Sequence, residues 1–383
     1  KRRNYFAISA TISTFIVLKS STLKFLLMDK VTTLFSNTQE EKDFSFGKLQ
    51  NGKKIKVDFD APDLSSNGGL VLMRGIGCDF LDRMAACIPE WRRPYLIHHS
   101  MRDLIRQRVG QIACGYEDAN DCDALRHDSA LKMLTGRKPS DEDLCSQPTM
   151  TRLENHLSNR ELYAIGKLFV ENFIKSYDKA PKKIIIDADD TNANTYGAQQ
   201  LTLFNDYYGE YCYMPLIIQE GLSGKMILPL LRPGRRNKSL NVFGILKRIV
   251  TMLQKAWPMC RIELRGDSHF CSHEYMDWVR DQHNILLRFT TGLSSNAVLL
   301  KEIDKPLRRC RNDYAKEGKD IRRYYSFRYK AKSWKYEQRV IAKIEINSMG
   351  ENIRFIVTSN TSNRPETVYR HYAGRGEMEL WIK

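Results

Sequence analysis

The spacing of apolar residues changes along this chain, and the changes divide it. Leu70 to Ile88 reads as an amphipathic helix. In the next stretch Met101, Leu104, Ile105, Val109 and Ile112 recur at helical spacing, Ser100 is placed to cap the start, and Cys114–Gly115 closes the run. Further helical patterns over 120–135, 148–158 and 159–177 make 60–177 mainly helical, after an alternating strand at Ile55–Phe59 and a turn at 63–69. Arginines 102, 106 and 108 interleave the apolar positions, a placement that lets a helical face lie along phosphates or simply face solvent.

Beyond about Lys182 the period shortens. Ile184–Ile186 is a β-branched run that fits a strand buried on both faces. Tyrosines 207, 208, 211 and 213 lead into an apolar run at Met214–Gln219, and Lys225–Leu231 predicts another strand. A helix over 240–256, with Val242, Ile245, Leu246, Ile249, Val250 and Leu253 on one face, leads to the strand RIELRGD at 261–267. Strand, helix and strand of this length predict a parallel, right-handed crossover. A helix at 272–283, a strand at Ile285–Thr290 and a helix at 296–310 follow. Three alternating strands come next, Ile321–Tyr329, Tyr336–Ile346 and Ile353–Ser359, and Pro365–Glu366 then opens a last helix. On that helix Tyr372, Arg375, Glu379 and Ile382 share one face.

Charge changes the picture. The 383 residues carry 61 Lys plus Arg against 45 Asp plus Glu, a formal net charge of +16, which points to a polyanionic partner, nucleic acid first. No long basic amphipathic helix favours a membrane surface instead. Nine cysteines without a CxxC pair suit reduced thiols rather than a disulfide framework or a zinc site. His269 and His273 flank Cys271 without the spacing of zinc ligands. Residues 1–27 combine a basic start with an interrupted apolar stretch, read as an upstream extension with translation starting at Met28.

The candidate chemistry lies in carboxylates. The buried run 184–186 passes into Asp187, Asp189 and Asp190, with the first two on one face and Asp190 on the other. Carboxylates at a buried strand end are costly unless a positive group neutralises them, and a divalent cation or loop capping both do so. A second strand ends at Asp267, and Glu379 lies on the last helix. Three acids from distant segments suit two-metal phosphoryl transfer, in which carboxylates hold two ions roughly 3.5–4 Å apart. The loop LRPGRRNKS at 231–239, with Arg232, Arg235, Arg236 and Lys238, is composed to grip a phosphate backbone or to be solvated. Trp334, between two of the late strands, suits stacking on DNA or hairpin packing.

Several stretches together resemble bacterial insertion-sequence transposases of the DDE class: SSNGGLVLMR (65–74), RQRVGQIACGYEDANDCDALRHD (106–128), SQPTMTRLEN (146–155), DADDTNANTYGAQQ (187–200), YYGEYCYMPL (207–216), RGDSHFC (265–271) and YAGRGEMELWIK (372–383). The resemblance implies an α/β fold, an RNase H-like mixed sheet flanked by helices. It implies a mainly helical DNA-binding domain at 28–180, the first part of the core at 181–293, a β-rich insertion at 294–360 and the catalytic helix at 361–383. It assigns Asp189 (runner-up Asp187), Asp267 and Glu379 as catalytic metal ligands for two Mg²⁺, or Mn²⁺, and Tyr372 and Arg375, in a Y-x2-R-x3-E pattern, as phosphate-binding residues. The family pattern ends in a lysine seven residues past the glutamate, and this sequence stops at Lys383, so the chain reads as truncated. The implied partners are element-end and target DNA and a second copy in the synaptic complex, with no membrane, in the bacterial cytoplasm at the nucleoid. The alternatives are a DNA-binding remnant that does not cut, and an RNase H-like nuclease without strand transfer.

Overall fold

The computed structural model describes Gly52 and residues 67–195, 202–234 and 242–376. The strand read at Ile55–Phe59, and residues 1–27, lie outside them. The described residues fall into two compact units, one within 67–172, 192–215 and 229–234, the other within 173–191, 216–228 and 242–376.

The first unit is mainly helical: α1 (Gly69–Ala86), α2 (Met101–Ala113), α3 (Asp121–Leu125), α4 (Ser129–Thr135), α5 (Gln147–His156) and most of α6 (Asn159–Lys175). Ser100 and Asp103 form a reciprocal cap on α2: the Asp103 amide donates to Ser100 Oγ at 3.1 Å and the Ser100 amide to Asp103 Oδ2 at 3.2 Å. The single helix expected over 120–135 is two, because Asp128 caps a new start by accepting from the Leu131 amide at 2.8 Å. Arg106 and Arg108 of α2 do not reach outward to phosphates. Arg106 makes a two-pronged pair with Asp82 at 2.8 Å, and Arg108 is buried against Glu154 at 2.6 Å. Short strands β2 (Ala193–Asn194), β3 (Leu203–Asn205) and β4 (Glu210–Tyr213) form a three-stranded sheet in the order β2-β4-β3.

An eight-stranded mixed sheet carries the second unit. Its strands are β1 (Lys183–Asp190), β5 (Leu216–Glu220), β6 (Met226–Leu230), β7 (Arg261–Gly266), β8 (Leu287–Leu293), β9 (Ile321–Tyr329), β10 (Gln338–Asn347) and β11 (Gly350–Thr358), in the order β6-β5-β1-β7-β8-β11-β10-β9. β1, β7 and β8 are mutually parallel, whereas β5 and β11 join them antiparallel. Helices flank this sheet, an arrangement consistent with an RNase H-like fold. The sequence groups Met214 with the strand at 216–220, but Met214 and Pro215 separate β4 from β5, which belong to different sheets. The crossover between β6 and β7 spans two intervening strands, so β7 pairs with β1.

Burial explains the order. Ile184, Ile185 and Ile186 are fully buried in β1, and α7 (Val242–Ala256) turns Leu246, Ile249, Val250 and Leu253 inward. α8 (His273–Asp281) precedes β8, and the helix expected at 296–310 is two, α9 (Ala297–Glu302) and α10 (Asp304–Glu317). β9, β10 and β11 extend the central sheet from β8. α11 (Pro365–Ala373) packs Val368 and Tyr369 on Ile341 and Ile356, flanked by Tyr324 and Tyr372. α11 stops at Ala373, with a turn at Gly374–Arg375, so Arg375 follows the helix instead of riding on its face. Among the described residues no helix is long and apolar enough to cross a membrane.

Candidate active site

Parallel pairing of β1 with β7 sets Ala188 opposite Gly266. The next residue on each strand is an aspartate, Asp189 on β1 and Asp267 just past β7, so register alone brings the two carboxylates to the same edge of the sheet. The carboxyl ends of parallel strands are where α/β sheets bind ligands.

Three cationic or polar groups converge on that edge. Arg375 Nη1 lies 3.7 Å from Asp189 Oδ2. His269 Nδ1 stands between two carboxylates, 3.6 Å from Asp267 Oδ2 and 3.7 Å from Asp190 Oδ2. The Asp267 side chain accepts the His269 amide at 2.8 Å, which shapes a short 3-10 turn over Ser268–Phe270. Burial pushes the Tyr372 hydroxyl's pKa up; Arg375 opposes this and Asp267 adds to it, so the phenol is held protonated beside the aspartate. A Cβ built on Gly292 of β8 would fall 2.7 Å from the Ser268 amide nitrogen and 2.9 Å from Tyr372 Oη. Only a residue without a side chain lets β8 approach this closely.

Beneath this edge is a buried polar layer. Arg265 donates to both oxygens of Asp187, Nε to Oδ1 at 2.6 Å and Nη2 to Oδ2 at 2.5 Å, and its Nη1 donates to the His371 carbonyl at 2.7 Å. Burial pushes the Asp187 carboxyl up, against the pull of Arg265. Asp187 is 1% exposed and engaged with Arg265, which separates it from the edge occupied by Asp189. Two residues below Arg265, Glu263 meets His371 Nε2 at 3.1 Å and Lys183 at 3.3 Å, and accepts from Thr290 Oγ1 at 2.9 Å. Burial alone would raise Glu263, but these partners, His371 foremost, bring it down to about 2. The layer ties β1, β7 and β8 to the last turn of α11 and so fixes where Tyr372 and Arg375 start.

The other residues read from the sequence are distributed differently. Arg232 is 7% exposed and donates Nε to the Met214 carbonyl at 3.2 Å, holding the exit of β4, so it is buried away from any phosphate backbone. Trp334 is likewise 7% exposed, edge-on to Tyr329 at 5.4 Å, and its place is in the hairpin core and not on a stacking surface. Glu379, Arg235, Arg236 and Lys238 lie outside the described residues.

Carboxylate oxygens at adjacent strand ends are donors that suit a hard divalent cation such as Mg²⁺ or Mn²⁺. Among the described residues no three His, Cys, Asp or Glu side chains are grouped to hold a metal ion, and the third expected carboxylate is Glu379. His269, Glu263 and His371 were not picked out as site residues by sequence reasoning. The signal for His269 was its place two residues past Asp267; that for Glu263 was its alternation with Arg265 on one face of a buried strand. His371 carried no comparable signal, because its carboxylate partner is on another strand.

The family described as Transposase DDE domain group 1 matches residues 47–383. No curated protein matches the chain.

Proposed function

The chain belongs to this family of transposase DDE domains, and we propose that it cuts DNA at the ends of an insertion sequence and joins them to target DNA by a two-metal DDE mechanism. The observation that carries the reading is the register of β1 and β7, which sets Asp189 and Asp267 side by side with Arg375 against the first. In this proposal Asp189, Asp267 and Glu379 hold two Mg²⁺, with Mn²⁺ as a substitute. Bound there, the metal supplies charge neutralisation at phosphorus and a nucleophilic oxygen at neutral pH.

The chain's own residues do the rest. Arg375 donates to a non-bridging phosphate oxygen, where charge accumulates in the transition state. Tyr372, protonated and backed by the α11 packing, donates to the phosphate beside it. Asp187 and Glu263 keep Arg265 and His371 in place, and so hold the turn that carries Arg375. No covalent enzyme intermediate is required. Juxtaposing two element ends calls for a second copy of the chain, so we include a homodimer in the proposal.

Incubating the full chain with end-labelled duplex carrying the element's terminal sequence and Mg²⁺ tests this. Nicking followed by joining is the expected result. Binding without cutting identifies a DNA-binding remnant, and cutting without joining identifies a nuclease; either overturns the proposal. Asp267→Asn is expected to abolish cleavage and retain binding, and Arg375→Ala to slow cleavage by roughly 10²–10³-fold, the loss typical of one transition-state donor.

A further inference from the structure

The three-stranded sheet β2-β4-β3 has one face turned into the chain and one turned out. On the first face the register sets Asn194 and Leu203 opposite Cys212, and Asn205 opposite Glu210. Cys212 is fully buried there, Asn205 donates Nδ2 to the Gly234 carbonyl at 2.6 Å, and Glu210 accepts from Asn192 Nδ2 at 2.6 Å. The other face carries, among the described residues, Ala193, Phe204, Tyr211 and Tyr213, none of them charged. Phe204 and Tyr211 meet edge to face at 5.5 Å and are still 44% and 61% exposed. In the turn between β3 and β4, Tyr207 is 84% exposed and lies edge-on to Tyr208 at 4.9 Å. Asn205 Oδ1 accepts the amides of Tyr207 and Tyr208 at 3.0 and 3.3 Å, so these rings stand on a hydrogen-bonded turn and lose little freedom when covered.

Charge decides what can cover this face. None of the chain's 61 lysines and arginines falls between Lys183 and Lys225, and residues 192–215 carry Asp206 and Glu210 as their charges. Affinity for nucleic acid is dominated by cations on phosphates, so a stretch with two carboxylates and no cation is poorly suited to a duplex. The centres of protein interfaces have this composition instead, rich in tyrosine and phenylalanine and depleted in charge. Net charge singles out the chain itself as the occupant. Two copies at +16 repel where their cationic surfaces approach, and an uncharged aromatic face is where they can meet. A twofold contact puts the same face on both sides, so Phe204 and Tyr211 pack on their counterparts without bringing like charges together.

We infer that the Phe204–Tyr211 face of β2-β4-β3, flanked by Tyr207, is the surface on which a second copy of this chain docks, face to face about a twofold axis. The inference rests on the proposed function for its need of two copies, and it names the surface that joins them.

The test is sedimentation velocity of the full chain in a concentration series across the micromolar range, with and without duplex carrying the element's terminal sequence. Wild type is compared with Tyr211→Glu and Tyr207→Glu, and Tyr163→Glu on α6, whose tyrosine is 59% exposed, serves as control. A melting temperature confirms that each variant is folded; should Tyr211→Glu unfold, Tyr207→Glu decides alone. Because a twofold contact presents every substitution twice, dimerisation should weaken by at least about 30-fold in Tyr211→Glu and about tenfold in Tyr207→Glu, and stay unchanged in the control. A wild type that is monomeric with and without the duplex, a dimer indifferent to both substitutions, or an equal loss in Tyr163→Glu overturns the contact. So does a variant that keeps the dimer and loses affinity for a single-stranded oligonucleotide, which makes the face a base-stacking platform. Wild-type cleavage of element-end DNA is scored separately with Mg²⁺. Cleavage by a wild type whose dimer ignores both substitutions removes the contact and leaves the proposed function. A dimer broken by them, in a chain that does not cut, removes the proposed function and leaves the contact.

Discussion

Asp187 and Arg265, 78 residues apart in sequence, form a two-pronged ion pair inside the sheet, and the same guanidinium holds the carbonyl of His371. One buried arginine therefore joins β1, β7 and the end of α11. Removing one partner leaves an uncompensated buried charge, at a cost of about 3–5 kcal/mol. Asp187→Asn and Arg265→Gln are expected to lower stability on that scale in denaturant titrations, whereas Asp187→Leu/Arg265→Met, which buries no charge, recovers most of it. Gly221→Ala is expected to act like the single variants, since its Cβ would collide with Asp187 Oδ2.

Gly292 offers a way to perturb the site without touching a charged group. Its Cβ would press on the Ser268 amide, on Tyr372 Oη and, at 3.1 Å, on the Asp267 carbonyl carbon. Backbone atoms do not yield as a flexible side chain does. Gly292→Ala is expected to cost about 1–3 kcal/mol by overpacking. Its effect on single-turnover DNA cleavage should be the larger one, because the displaced groups are Tyr372 and Asp267. Cleavage at the wild-type rate by a folded variant removes this contact from the site.

Acid should expose the role of Glu263. Its carboxyl falls from 4.5 to about 2 in the folded chain, despite burial, through His371, Lys183 and Thr290. A carboxylate with a depressed value stabilises the fold above its unfolded value and loses that contribution as pH falls through the folded one. The melting-temperature gap between wild type and Glu263→Gln is therefore expected to be full above about pH 4.5 and to close toward pH 2. A gap independent of pH over that window shows that Glu263 acts by packing alone.

Trp334 separates packing from stacking. It is buried, its amide donates to the Ala331 carbonyl at 3.0 Å, and its ring meets the edge of Tyr329. Trp334→Ala is expected to cost about 3–5 kcal/mol, as large-to-small core substitutions do. Trp334→Phe should keep most of the stability and bind duplex DNA at fixed salt as wild type does. A loss of affinity in the folded phenylalanine variant indicates a DNA contact instead.

Local pattern determined much of this protein. The β-branched run at 184–186, the helical faces of 101–112 and 242–253, the cap at Ser100 and the helix-opening Pro365 are short-range signals, and the elements formed where those signals placed them. Breaks within runs were less legible, as at Asp128 and Ile303, because one capping residue or turn ends a helix whose apolar period continues past it. Alternation did not show that Asp190, read onto the other face from Asp187 and Asp189, shares His269 with Asp267.

Partners across the sheet were beyond the sequence. Nothing local to Arg265 says that it meets Asp187, and nothing local to His371 says that it meets Glu263; strand order and register decide both. Arg102, Arg106, Arg108 and Arg232 look alike in a list of cations, yet tertiary packing buries the last three and leaves Arg102 exposed. A charge far along the chain becomes a neighbour only once the sheet forms. Composition fixed how many cations this chain has, and packing decided which of the described ones are buried in ion pairs and which stay exposed.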